Sequence, residues 1–350
     1  MDFPKFSMDE LQVAKRVPGP RGSSVPVFSA PISSKENIRR MLEGKTPLWL
    51  PSAGEINNLR FMCDPENVAR SPKEGIDGFG VPWVWVEQVG GPMVKPGAPI
   101  CPDINEWEKY VTIPDPATWD WAACRKEIEP KLDPDLFTEA TFGSCLFERL
   151  IAILDAAEAL LALVDEDQQE AVHRFFRAIT DYRLKYYEIA MKWFPELDCF
   201  NYNDDWGTQR APFFSYNTCE EMLHPYVKEV GDLVHKMGCY FDRHCCGVVE
   251  PLVPLLIDEG FDIWGGQPIN DKCKLKKMYA DKPMVYTHEL TLPKDCSADD
   301  AKAAAKKFMD EFGYDNRGFN RTRNDDFITE LYILSRKNFD RMVEEGTAIL

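Results

Sequence analysis

Apolar residues recur at helical spacing through the middle of the chain. Leu150, Leu154, Ala157, Leu161 and Val164 share one helical face, and Phe176, Ile179, Tyr182, Tyr186 and Ile189 share another. The second helix must end before Pro195, because proline lacks an amide and clashes with the preceding turn. Upstream the pattern differs. Residues 17–33, VPGPRGSSVPVFSAPIS, are rich in Pro, Gly and Ser and read as an extended arm or loop. Ser33 and Glu36 have capping-box spacing, Ile38, Met41 and Leu42 form an apolar stripe, and Gly44 is a natural stop, which predicts a first helix. Residues 46–121 hold short strand-like pieces, with Leu48–Leu50, Trp83–Val86 and Val111–Ile113 as candidates. PDPATWDW at 114–121 then reads as a loop into the next helix.

Beyond Pro195 the pattern becomes strand, loop and helix in repetition. LDCFNY (197–202) and GCYFDRH (238–244) read as strands, as do FDIW (261–264) and MVYTHELT (284–291). Between them, Thr218 and Glu221 form a capping box that opens a helix through Val234. A Pro-containing helical stretch ends at Gly260, and Ser297 to Asp310 is an Ala- and Lys-rich helix. FITELYIL (327–334) fits either a last strand or a closing helix. Strands alternating with helices argue for a parallel sheet. No GxGxxG follows an early strand, so the dinucleotide-binding open sheet is disfavoured. The expected fold is α/β, a (β/α)8 TIM barrel over 35–350 with an N-terminal arm at 1–34, and its active residues belong at the carboxyl ends of strands.

Length and composition narrow the function. A barrel takes roughly 250 residues, often more with insertions, and the chain has 350, of which 44% are apolar. The formal charge of −17, with no Lys/Arg block, argues against nucleic acid and against an anionic membrane surface. The opening MDFPKFSMDELQVAKR has no apolar stretch of signal-peptide length, and the apolar run at 150–164 is interrupted by Asp155 and Glu158. The expected location is the cytoplasm, where the 11 cysteines are mostly reduced thiols.

Four segments carry candidate chemistry. In FDRHCCGVV (241–249), His244 and Cys246 lie two apart at a strand end and share a face, while Cys245 takes the other. An imidazole and a thiolate converging on one point make a zinc-type pair; a buried Cys beside a hydrogen-bonded His gives the same spelling. In NYNDDWGTQR (201–210), Asp204 and Asp205 either answer the demands of a turn or face a pocket as orienting or acid–base carboxylates, with Gln209 and Arg210 as added donors. His288 and Glu289 end the strand in VYTHEL (285–290) and are either an ordinary strand end or further metal ligands. Trp83 and Trp85 share a face in GFGVPWVWVEQVGG (78–91), where they suit a core or the wall of a pocket for a flat substrate.

Taken in order, PLW at 47–49, DGFGVPW at 77–83, Phe147-Glu148-Arg149, NDDWGTQ at 203–209, HCCG at 244–247 and GFDIW at 260–264 resemble the uroporphyrinogen decarboxylase superfamily. The resemblance runs from about residue 35 to the C-terminus and implies a (β/α)8 barrel. True decarboxylases of the family carry an Arg-rich motif after the first strand that grips propionates. The matching PLWLPSAGE (47–55) has no arginine, which counts against that branch. In the zinc methyltransferase branch, which exchanges methyl groups with a corrinoid protein, the H-x-C motif matches His244 and Cys246. Thiol-directed members add a late Cys as third ligand. The corresponding stretch here, NRGFNRTRND (316–325), has none, so the resemblance leaves Glu289, then His288, as the third-ligand expectation.

A mixed nitrogen, sulfur and oxygen set is less thiophilic and favours a methyl ether as substrate. The resemblance therefore implies zinc-dependent O-demethylation, with the methyl group passed to a corrinoid on a separate protein. Two rivals remain at this point. One is a metal-free decarboxylase-like lyase working through Asp204 or Asp205, and the other is a non-catalytic corrinoid or tetrapyrrole binder. The sequence leaves open whether the chain pairs as a homodimer.

Overall fold

The computed structural model describes residues 3–18, 24–70, 74–88, 91–97 and 99–350. Their contacts divide the chain into two compact units, one made of residues 1–57, 133–139 and 262–350, the other of 58–132 and 140–261. Two strands, β3 (Ile56–Leu59) and β7 (Phe137–Ser144), carry the chain from one unit to the other.

In the first unit the segment 17–33, expected as an extended arm or loop, contributes to a pair of strands, with 19–23 outside the described residues. β1 (Val13–Pro18) pairs antiparallel with β2 (Ser24–Phe28), Val17 facing Val25. Helix α1 (Ser34–Leu42) begins where the Ser33 hydroxyl accepts the Glu36 amide and stops at Gly44, whose φ of 79° suits a residue without a side chain. Three short parallel strands follow one another here. β10 (Ile263–Trp264) pairs with β11 (Val285–His288), and β11 pairs with β12 (Phe319–Asn320). Helices α9 (Lys272–Met278) and α10 (Ala298–Phe308) connect them, α10 capped by Ser297. The undecided segment 327–334 is helical and belongs to α11 (Asp325–Glu344). This helix ties down the arm. Leu48, Trp49, Tyr332 and Phe339 form a buried cluster against Phe3, Phe6 and Phe28, and the buried Arg336 pairs with Glu10, which also accepts the Tyr332 hydroxyl at 2.7 Å.

The second unit holds the helices expected from the central periodicity. They are α3 (Leu146–Leu154), α4 (Ala156–Ala162) and α5 (Gln169–Trp193). Asp155 breaks the first of these. It adopts φ 105°, which ends α3, and its carboxylate accepts the Ala157 and Glu158 amides to start α4. Parallel strands β8 (Cys199–Asn203) and β9 (Tyr240–His244) run in register, Asn201 opposite Asp242 and Asn203 opposite His244. An antiparallel ribbon of β4 (Gly75–Ile76), β5 (Pro82–Val86) and β6 (Gly91–Val94) lies in the same unit, as does α2 (Trp121–Ile128). Phe61, Trp121, Phe142, Tyr186 and Phe194 meet ring to ring in its core, with centroids 4.8–6.5 Å apart. Each such buried side chain contributes about 1.5–3 kcal/mol. No helix among the described residues is long and apolar enough to cross a membrane.

Three local expectations differ from what forms. Leu48–Leu50 is buried but not a strand, and the strand next to it is the more polar Ile56–Leu59. Val111–Ile113 lies outside any strand. The helix expected from Thr218 is capped by Ser215 instead and splits in two, α6 (Tyr216–Met222) and α7 (His224–Lys236), because Pro225 lacks the amide that would continue the first helix and fits the first turn of the second.

Candidate functional site

The site in the second unit is built where β7, β8 and β9 end. Side chains alternate along a strand, so Asn201, Asn203, Asp242 and His244 share one face while Phe200, Tyr202, Phe241 and Arg243 take the other. Just past the strand ends the chain must turn, and the two turns touch. Gly247, at φ 78°, lies so close to Gly207 that a Cβ on either would strike the other loop's backbone. That close approach brings Asp205 to Cys246. The Cys246 amide donates to the Asp205 Oδ1 at 2.7 Å, and Cys246 Sγ stands 3.4 Å from His244 Nε2.

Asp205, His244 and Cys246 thereby offer an oxygen, a nitrogen and a sulfur all within 4.8 Å of one another, the one such group of three among the described residues. All three residues are half-buried. Burial pushes the Cys246 thiol up, and the neighbouring Asp205 carboxylate pushes it further in the same direction. A bound cation would reverse that preference, since a metal-bound thiol is deprotonated outright. The donor set fits zinc, which accepts imidazole, thiolate and carboxylate.

A cavity of about 310 Å³ opens beside this group. Trp83 and Pro92 come to it from the antiparallel ribbon, Gly143 and Ser144 from the end of β7, Glu148 from α3, and Asn203, Asp205 and His244 from the ends of β8 and β9. No lysine or arginine is among these lining residues.

A buried charged frame sets α3 in place behind the wall. Asp204, fully buried, accepts the Phe147 amide at 3.1 Å and the Glu148 amide at 2.8 Å, so it caps the helix, and it also accepts the Trp206 indole N–H at 2.8 Å. Burial raises the pKa of Asp204, making it a weaker acid, and the Arg243 guanidinium opposes that shift. Arg243 is itself completely buried, 4.1 Å over the Trp206 ring, its three nitrogens without a hydrogen-bond partner among the described residues. One residue beyond Glu148, Arg149 bridges Asp77 at 2.6 Å and Glu66 at 3.0 Å, all three side chains buried. Asp77 in turn accepts the Phe79 and Val81 amides and, at 2.9 Å, the Trp83 indole N–H. Glu66 also accepts the Tyr182 hydroxyl at 2.7 Å. Two links from Arg149 thus fix both the helix that carries Glu148 and the indole of Trp83.

The residues singled out from sequence fall into three groups. Trp83, Asp205, His244 and Cys246 come together at the cavity. Asp204 is a helix cap facing away from it, and Gln209 and Arg210 are exposed on the turn closed by Thr208 and Ala211, outside the lining. His288 and Glu289 belong to the other unit. There His288 stacks on Phe308 and lies against Phe312, its Nδ1 without a hydrogen-bond partner among the described residues and its pKa lowered to about 4 by burial and by Lys272, while Glu289 is exposed. Sequence reasoning missed Glu148 and Asn203. Asn203 could have been found by extending the β8 alternation one residue. Glu148 sits at a helix start, where a carboxylate is unremarkable.

No family model matches the chain, and no curated protein matches it. Among solved structures it is similar to a methyltransferase from Methanosarcina mazei, at 13% identity and TM-score 0.59, over 88% of this chain and 99% of that one. The fold is an α/β barrel of the TIM type. Weaker likenesses are to a glycosylated endo-beta-1,4-xylanase of glycoside hydrolase family 10 from Gloeophyllum trabeum, at 8% identity over 58% of this chain and 76% of that one with TM-score 0.34. A D-psicose 3-epimerase gives 9%, 70%, 86% and 0.28 for the same quantities. In a barrel the carboxyl ends of the strands are where catalytic residues gather, and the ends of β7, β8 and β9 carry the cavity described above.

Proposed function

We propose that the chain is a zinc-dependent methyltransferase that moves a methyl group from a small methylated substrate, a methyl ether, to a corrinoid carried by a separate protein. The reading rests on one observation. An imidazole nitrogen, a thiol sulfur and a carboxylate oxygen converge within 4.8 Å at the wall of a cavity, on strand ends of a fold also found in a methyltransferase. His244, Cys246 and Asp205 would hold the metal, with Asp205 in the place expected for Glu289. When bound, zinc supplies a Lewis acid that stabilises charge on the substrate oxygen as the methyl group leaves.

The chain's own residues do the rest. Asp205 is positioned twice over, by its hydrogen bond to the Cys246 amide and by the back-to-back glycines beneath it. Trp83, held by Asp77, supplies an apolar wall against which a methyl ether can lie. Asn203 and Ser144 offer neutral polar contacts at the strand ends. One oxygen donor and one sulfur donor make the set less thiophilic than a two-sulfur set, which favours an oxygen-centred substrate. A metal-free acid–base route through Asp204 lacks support, because its oxygens are taken by two α3 amides and an indole.

The test is metal content by elemental analysis of protein purified without oxygen, beside methyl transfer from methyl ethers to a reduced corrinoid. One zinc per chain and demethylation are expected, both lost in His244→Ala and Cys246→Ser. A protein that takes up no zinc when supplied with it sinks the reading. Turnover of a methyl thioether with none of methyl ethers removes the ether assignment alone.

A further inference from the structure

We propose that Cys245, which stands outside the ligand set, is the residue that positions the candidate metal site. Its buried thiol fastens the turn that carries Asp205 to the turn that carries Cys246. This rests on the reading of Asp205, His244 and Cys246 as metal ligands. The three come from the end of β9 and from two turns, one after β8 and one after β9. Where the turns touch, both residues are glycines, and a Cβ on Gly247 would lie 2.1 Å from the Gly207 carbonyl. Such a contact allows close approach but has no side chain to hold it. The hold comes from the residues on either side. The Asp204 amide donates to the His244 carbonyl at 3.3 Å, and the Val248 amide to the Thr208 carbonyl at 2.8 Å. Between those two backbone ties the Cys246 amide donates to Asp205 at 2.7 Å, and the Trp206 amide donates to Cys245 Sγ at 3.2 Å.

The Cys245 thiol works in both directions. Its sulfur accepts the Trp206 amide, and its S–H donates to the Cys246 carbonyl at 3.4 Å, so one group joins the residue after Asp205 to Cys246 itself. A thiol is a weak donor and a weak acceptor. Cys245 is fully buried, however, so neither bond competes with water. Trp206 is held from two further sides. The Arg243 guanidinium lies 4.1 Å over its ring, and its indole N–H is donated to Asp204 at 2.8 Å. With ring and amide both fixed, Trp206 fixes the backbone from which Asp205 reaches Cys246. The Asp205 side chain has rotatable bonds of its own, so its aim depends on where that backbone lies. Without the thiol, the Trp206 amide is buried with no acceptor, a penalty the turn escapes only by moving. Groups that orient metal ligands from behind change metal affinity by about 10–100-fold.

The experiment uses the full chain purified without oxygen, with cobalt(II) as the probe metal. It compares wild type with Cys245→Ala, Cys245→Val and Cys245→Ser. Cys199→Ala is the control, since Cys199 is an equally buried thiol at the start of β8. Two quantities are read. One is cobalt affinity, from the visible absorption of the bound ion. The other is the hydrogen-exchange rate of the Cys246 amide in metal-free protein isotope-labelled at cysteine, by NMR, which reports the bond to Asp205 without any metal. Cys245→Ala and Cys245→Val should bind cobalt about tenfold more weakly and exchange the Cys246 amide about tenfold faster. Cys245→Ser, which still donates and accepts, should stay within about threefold of wild type in both. Cys199→Ala should lower stability and move neither. If Cys245→Ala does not fold, Cys245→Val against Cys245→Ser makes the same comparison. Wild-type values in Cys245→Ala and Cys245→Val, values in Cys245→Ser as poor as theirs, or an equal change in Cys199→Ala overturns the proposal. If wild type takes up neither cobalt nor zinc, the metal reading fails, and the exchange rates alone decide whether Cys245 holds the two turns. If zinc uptake and ether demethylation hold while the Cys245 variants match wild type, the positioning role alone fails.

Discussion

Two histidines stand at the carboxyl ends of parallel strands in this chain, and their surroundings make them different groups. His244, ending β9, meets Cys246 at 3.4 Å and shares with it and Asp205 a space fit for a cation. His288, ending β11, is followed by an exposed Glu289 and lies against two phenylalanine rings at 5.2 and 5.1 Å, with Nδ1 unpartnered among the described residues. Burial and the nearby Lys272 lower its pKa to about 4, so it is neutral at pH 7 and packs as an aromatic ring. A histidine at a barrel strand end is therefore no site by itself. What counts is whether the next turn returns other ligands to it, and at β9 the contact between Gly207 and Gly247 does so.

The largest effect expected from this contrast is on metal content. Replacing His244, Cys246 or Asp205 (His244→Ala, Cys246→Ser, Asp205→Asn) should each lower zinc affinity by at least about 100-fold, since a tetrahedral site with only two protein ligands left is incomplete. His288→Ala and Glu289→Gln should leave the zinc stoichiometry unchanged. Loss of zinc in the His288 or Glu289 variant would erase the distinction between the two strand ends.

The next effect is on stability. The β9 end depends on a buried ion frame, whereas the β11 end depends on rings. Arg149→Met leaves Asp77 and Glu66 buried without their common partner, and breaking a buried pair from one side costs about 3–5 kcal/mol. Urea unfolding should show a lowered midpoint of that size. A loss under about 1 kcal/mol would mean the frame does not hold α3 and Trp83 as described.

A smaller effect separates the two ends by pH. His288 has a folded pKa of about 4 against an ordinary 6.5, so between those values the unfolded chain binds the extra proton. Its contribution to stability is full above pH 6.5 and is lost as pH falls toward 4. It is worth at most about 2 kcal/mol once solvent screening of a half-buried ring is allowed for. In the same unit Glu55 is raised to about 7 by burial, so the folded chain holds the proton and its contribution is lost as pH rises from 4.5 to 7. The wild-type curve mixes the two. Paired against wild type, His288→Gln should gain relative stability as pH falls through 6.5 to 4, and Glu55→Gln should gain as pH rises from 4.5 to 7. Parallel curves for His288→Gln and wild type would show that the ring is not held neutral.

Much of this was legible in the chain because it is written locally. The α5 periodicity and the Ser33 cap depend on residues within one or two turns, and each forms. The face drawn from Leu150 to Val164 breaks at Asp155 and leaves Leu161 and Val164 exposed, and β9 ends at His244, so the turn rather than the strand carries Cys246. What was not legible depends on distant partners. Leu48–Leu50 looks like a strand by apolarity but is buried under α11, whereas Ile56–Leu59, with two asparagines, forms one. Asp204 and Asp205 are adjacent and chemically identical. Only the α3 amides, 57 and 56 positions away, decide that Asp204 is a cap, and only the Cys246 amide, 41 away, decides that Asp205 is at the site. Glu148 reads as a first-turn carboxylate until Asp204 places its amide and the cavity shows what its side chain lines.

The smallest effect is expected on the turn just beyond Asp205, and its smallness is informative. Gln209 and Arg210 sit at the exposed tip of a turn held together by Thr208, whose hydroxyl donates to the Ala211 carbonyl at 2.9 Å and accepts the Arg210 and Ala211 amides. These bonds run through the Thr208 hydroxyl, the Ala211 carbonyl and backbone amides. Gln209→Ala with Arg210→Ala should therefore shift stability by no more than about 0.5 kcal/mol and leave zinc content intact. Thr208→Val removes the hydroxyl that gathers the turn while the Val248 amide still needs the Thr208 carbonyl at 2.8 Å; it should cost about 1 kcal/mol and loosen the Gly207 contact on which Asp205 depends. If the double alanine variant lost zinc while Thr208→Val kept it, the tip side chains, and not the turn's backbone, would be what delivers Asp205 to His244 and Cys246.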